Sequence, residues 1–207
     1  MDQRRVRGQR NRQALITAAI ELFEENGYES TTVEQISAHA GVAPRTFFHH
    51  FATKDDILFD GYADRLDAAT RRFRDSRSTS LWGALSEASA AVAEAIDAQQ
   101  EFFLVRARMY ARHPGLRATR LRINDDWIDQ MTGEVARWLG TDASTDLRPR
   151  LAVSVVNGAN RAAIDTWVAD GGRGDLTAVM SQAIQLLRPS ISRIERLVKA
   201  ERGRRAG

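Results

Sequence analysis

The stretch TTVEQISAHAGVAPRTFFHHFATKDDIL, residues 31–58, decides the fold of this chain. Its first part predicts a short helix. Thr32 with Gln35 has the spacing of a capping box, and so has Thr31 with Glu34; Thr32 is preferred because it leaves Val33 and Ile36 to open the buried face. This helix ends near Ala40, and Gly41 sits where a tight turn is needed. Pro44 then suits the first position of a second short helix, because the N–H it lacks is one that a helix start leaves unused. Ala43 is the N-cap there, a weak one compared with serine. Phe47 and Phe51 stand four residues apart and point inward together. A helix of about eight residues is not stable alone, so these aromatics must hold it on its neighbours. Its other face is then free, and shows Pro44, Arg45, Thr46, Phe48, His49 and His50.

Working outward, Arg10–Asn26 predicts the first helix. Leu15, Ala18, Ala19, Leu22 and Phe23 fall on one apolar face, and Gly27 is placed as a left-handed C-cap. At the end of the quoted stretch, Thr53 and Asp56 pattern the start of a long fourth helix. Ile57, Leu58, Tyr62, Leu66, Ala69 and Phe73 carry its apolar face to about Arg74, where RDSRSTS makes a polar break. Helical periods continue over Leu81–Asp97, Gln99–Arg112, Gly115–Leu139, Leu147–Ala169 and Leu176–Arg188, with Asp175 capping the last and Pro189 marking its end. The expected class is all-α: a three-helix helix-turn-helix head over residues 1–55, with a basic arm at 1–12, joined by helix four to a second helical domain over residues 56–207.

A helix–turn–helix lays its second helix in the major groove, with its N-terminal residues toward base edges. Arginine can grip guanine O6 and N7 together, and threonine can offer a base its hydroxyl or thymine its methyl. The helix starts at Thr32 and Lys54 offer backbone donors suited to phosphate. Charge supports this reading. The net charge is +3, yet residues 1–12 carry +4 and residues 188–207 carry +5, which leaves the body at −6. Basic ends on an acidic body suit contact with a polyanion; the plainer reading of the C-terminal run is a solvated tail.

The spacing of Thr32, Ile36, Ala40-Gly41-Val42, Phe47-Phe48, His50-Phe51 and Lys54 resembles the DNA-binding head of the TetR family of bacterial repressors. The resemblance covers residues 10–60; the rest matches only in kind, as a helical domain of suitable length. It implies that Pro44, Arg45 and Thr46 face bases, with His49 reaching one as well, and that Thr32, Phe48, His50 and Lys54 lie along phosphates of a double-stranded operator. Phe48 stands where tyrosine is usual, so a hydroxyl contact is lost, and Ala43 replaces the usual serine. The resemblance also implies a pocket for a small-molecule effector between helices four and eight. Candidate lining residues are Phe102, Phe103, Arg106, Met109, Tyr110, Asn124, Trp127, Met131 and Trp167, a mixture suited to an apolar or amphipathic ligand.

The helices at 147–169 and 176–188 suit a two-fold interface in a homodimer. Gly158, Ala159, Ala162 and Ala163 allow close helix approach, and Val179, Met180, Ala183, Ile184, Leu186 and Leu187 give the last helix a broad apolar surface. In the family this resembles, such a pair forms a four-helix bundle with its symmetry mate; the plainer reading is internal packing. No cysteine is present, which excludes disulfides and thiolate metal sites. Adjacent His49 and His50 diverge by about 100° on a helix, so no shared metal ion is expected. Neither a signal peptide nor a long apolar run is visible, so a cytoplasmic protein without membrane contact is expected. There is no phosphate loop, His-x-x-x-His pair or nucleophile elbow, so neither catalysis nor a cofactor is expected. The rival reading is a helical small-molecule-binding protein or enzyme whose helix-turn-helix is only structural.

Overall fold

The computed structural model describes residues 3–206, with side chains to Arg204. Among the described residues the regular structure is entirely α-helical: α1 Gln3–Asn26, α2 Val33–His39, α3 Pro44–His50, α4 Lys54–Leu58, α5 Tyr62–Asp75, α6 Leu81–Asp97, α7 Gln100–Arg112, α8 Pro114–Leu139, α9 Leu147–Ala169, α10 Leu176–Gln185 and α11 Arg188–Ala206. They form two compact units. The first comprises Met1–Gly61 with Glu101–Arg117, the second Tyr62–Gln100 with Ala118–Gly207.

The core of the first unit gathers Leu15, Ala19, Leu22 and Phe23 of α1 with Ile36, Phe47, Phe51, Ile57 and Leu58. Phe47, Ile36, Ile57 and Leu58 are fully buried, and each such side chain contributes roughly 1.5–3 kcal/mol of hydrophobic stabilisation. Val105, Met109 and Tyr110 of α7 and Leu116 of α8 close the same core. The turn between α2 and α3 follows from Gly41, whose φ is +67°. Val42 N–H bonds to Ser37 O at 3.0 Å and Gly41 N–H to Ala38 O at 3.1 Å, the paired bonds of a Schellman ending.

Three expectations need correction. The basic arm is not a separate tail: its described part, from Gln3, is the first turns of α1. The long fourth helix is interrupted at Phe59–Gly61, because Gly61 takes φ +68° and the chain turns before α5. The last expected helix stops at Gln185, and Pro189 opens α11 instead of closing α10. A proline in a first turn costs a helix little.

In the second unit α5 packs on α6, and α6 also meets α10 and α11. Ile191, Ile194 and Val198 of α11 are buried, so this basic segment is part of the fold, not a solvated run. Glu195 explains its position. The buried Glu195 carboxylate accepts the Leu81 N–H at 2.9 Å, at the start of α6, and pairs with Lys199. Glu134 is likewise buried, its carboxyl held below the usual range by the hydrogen bond from Arg74, with Arg137 adding to the effect.

Candidate nucleic-acid interface

Every unusual residue of α3 has a defined place. Phe47 faces inward, with its ring 5.4 Å from Phe48 and 5.7 Å from Phe51. Pro44, Arg45 and His49 are exposed, Thr46 and His50 half-buried. Phe48 is 57% exposed, far more than a core aromatic would be. The Ala43 cap makes no side-chain bond to the helix start. The His49 and His50 rings lie edge to face at 5.1 Å. His50 sits beside α1, where a Cβ on Gly8 would come within 4.0 Å of it. Partial burial, then the neighbouring His49 and Arg12 charges, pull the His50 pKa below its ordinary value.

Thr32 is exposed, but its side chain caps α2: its Oγ accepts Gln35 N–H at 3.2 Å, and Gln35 Oε1 accepts Thr32 N–H at 2.8 Å. Asp56 accepts Thr53 N–H at 2.8 Å in the same manner at α4.

Lys54 differs from the simple expectation of a phosphate-bound cation. Its ammonium donates to Tyr28 O at 2.8 Å and Thr31 O at 3.2 Å, and stands 4.3 Å from the centre of the Tyr28 ring. It pins the loop between α1 and α2 to the start of α4. Tyr28 is fixed from the other end by donating its hydroxyl to Asp55. Burial first, and that bond next, raise the phenol well above its ordinary range.

The proposed pocket residues are not brought together in one unit. Phe102, Phe103, Arg106, Met109 and Tyr110 belong to the first unit, Asn124, Trp127, Met131 and Trp167 to the second. Met109 and Tyr110 pack in the head core, and Arg106 bonds to the Leu58 and Asp60 carbonyls. Met131 and Trp167 are buried; Trp127 donates to Leu66 O and Thr70 Oγ, each at 3.0 Å. Of the dimer candidates, Gly158 and Ala162 are exposed, and Ala159, Val179, Ala183 and Leu187 half-buried, whereas Met180 and Ile184 face inward.

The fold is that of a helix–turn–helix DNA-binding protein, with α2 and α3 as the two helices of the motif. Residues 15–60 match the family described as "Bacterial regulatory proteins, tetR family", and residues 79–192 match the "MftR C-terminal domain". The chain is 32% identical over 198 residues to the HTH-type transcriptional regulator TcmR of Streptomyces glaucescens, covering 91% of this chain and 87% of the relative. It is 26% identical to the putative mycofactocin biosynthesis transcriptional regulator MftR of Mycobacterium tuberculosis, covering 85% and 88%. Among solved structures, the fold is similar to FadR of Bacillus subtilis in complex with stearoyl-CoA, with a TM-score of 0.61, 23% identity, and 84% and 96% of the two chains covered. The chain belongs to the TetR family of bacterial transcriptional regulators.

Proposed function

We propose that this regulator acts as a homodimeric repressor on a palindromic operator and is released by a small-molecule effector. The observation that carries the DNA-binding half is the division of α3, with Phe47 fully buried while Arg45, Phe48 and His49 face solvent. In this reading Pro44, Arg45, Thr46 and His49 meet bases. Thr32, Phe48 and His50 follow the sugar–phosphate backbone, Phe48 by apolar contact in place of a hydroxyl bond. Lys54 contributes mainly by fixing the α1–α2 loop.

Dimerisation is supported by an apolar stripe along α9 and α10. Leu147, Leu151, Val155, Gly158 and Ala162 recur on one side of α9, and Leu186, the C-cap of α10, is 83% exposed. A Cβ on Gly158 would meet nothing within its own subunit, so its smallness has no use inside the chain but suits a second helix pressing from outside. Two heads double the base contacts of one.

The effector proposed is amphipathic. Solved relatives of this fold hold stearoyl-CoA and, in the Thermus thermophilus FadR, lauroyl-CoA, which makes acyl-CoA thioesters the first probes. Sequences selected from a random duplex pool give the operator; sedimentation gives the stoichiometry. Stearoyl-CoA is then titrated into the protein–operator complex. Release at a defined stoichiometry supports induction by this class. Selective operator binding that no ligand alters identifies a constitutive regulator, and a chain with no preference for any duplex refutes the proposal.

A further inference from the structure

The interruption between α4 and α5 is held by side chains from other helices. The Leu58 carbonyl accepts from the Tyr110 hydroxyl and from Arg106 Nη1 at 3.4 Å, and the Asp60 carbonyl also accepts from Arg106. The Phe59 ring stacks on Tyr110, with centroids 5.2 Å apart and planes 13° from parallel. The Asp60 carboxylate takes both ends of the Arg12 guanidinium, one bond measuring 2.9 Å. Arg12 stands 5.5 Å from the centre of the Phe51 ring, and Phe51 caps α3. All of these groups belong to the first compact unit.

A helix end leaves carbonyls that need donors. Here two side chains of α7, arriving far along the sequence, supply them. Arg106 is only 3% exposed, with its guanidinium 4.0 Å from the centre of the Phe102 ring. A buried guanidinium is costly unless its N–H groups are satisfied, and a hydrophobic residue would fill the same space without directional bonds. What Arg106 adds is a fixed geometry at the break.

We propose that Arg106 and Tyr110 are positioning residues for operator recognition. They lock the break, and the lock reaches α3 through Asp60, Arg12 and Phe51. The orientation of the recognition helix is therefore set by these two side chains of α7. This rests on the reading of α3 as the base-contacting helix.

Tyr110→Phe removes one hydroxyl and keeps the stacked ring; Asp60→Asn weakens the far link of the same path. Each full-length variant is measured for the ratio of its affinity for the selected operator to that for random duplex, at one salt concentration, and for Tm. The expected result is a ratio lowered about 5-fold or more, the lower end of typical coupling between sites, with random-duplex affinity unchanged. The double variant loses less than the product of the two single losses, because both act on one path. A lower Tm with an unchanged ratio makes the clamp merely structural and overturns the proposal, as does an equal fall in both affinities. A wild-type protein with no preferred duplex removes the reading beneath the proposal, and the proposal with it.

Discussion

Replacing Lys54 with alanine separates two roles for one ammonium group. In the structure that group donates to the carbonyls of Tyr28 and Thr31 and faces the Tyr28 ring. A hydrogen bond to a charged donor contributes roughly 1.5–3 kcal/mol when its partner is buried, and a cation–π contact at an exposed site about 0.5–1 kcal/mol. Lys54 is half-buried and one nitrogen serves all three contacts, so they do not add fully. A net loss of about 2 kcal/mol is expected, which for a chain of this size lowers Tm by roughly 4–8 °C. Thermal unfolding followed by circular dichroism at fixed protein concentration measures it, with Arg45→Ala as the exposed control that leaves Tm in place. Because most of the ammonium is committed internally, the salt dependence of DNA binding falls by less than the ~0.9 expected for one complete phosphate contact. An unchanged Tm, with a full loss of that size in the salt slope, would refute the internal role.

The remaining predictions concern other parts of the chain. Glu195→Ala leaves the Leu81 N–H without its acceptor and unties α11 from α6, so denaturant unfolding shows a loss of about 1–3 kcal/mol; unaltered stability would mean that α11 is held by its apolar face alone. His50 has its folded pKa depressed, by burial first, so the unfolded chain binds its proton more readily. Its contribution is present above the unfolded pKa of about 6.5 and is lost as pH falls through the folded value. His50→Gln therefore flattens the acid side of the stability profile, and a parallel profile would contradict this. Gly158→Glu places a charge on the exposed apolar stripe of α9, and sedimentation should find monomers; a persistent dimer would put the interface elsewhere.

The head was legible in the sequence because local signals agreed there. The Thr32–Gln35 capping box, the turn at Gly41, Pro44 opening α3 and the inward pair Phe47 and Phe51 all stand as read. The interruption after Leu58 was hidden because Ile57, Leu58, Tyr62 and Leu66 keep a helical period across it; Gly61 was the only local sign, and the donors that stabilise the break come from α7. α11 was missed for the opposite reason. Its many basic residues and Pro189 read as an ending, yet Ile191, Ile194, Glu195 and Val198 occur at helical spacing and are buried. The three aromatics and one methionine of α7 read as pocket lining from composition alone. Composition does not tell a residue that meets a ligand from one that, like Met109 or Tyr110, completes a neighbouring core.

The claim on which the rest depends is that α3 reads bases, with Arg45 at its exposed start. Binding of wild type and Arg45→Ala is therefore measured against every single-base substitution of the selected operator. The expected pattern is a loss of roughly 1–3 kcal/mol, with preference relaxed at one base pair in each half-site and retained elsewhere. A uniform loss at all positions, or full retention of the wild-type preferences, would contradict the account.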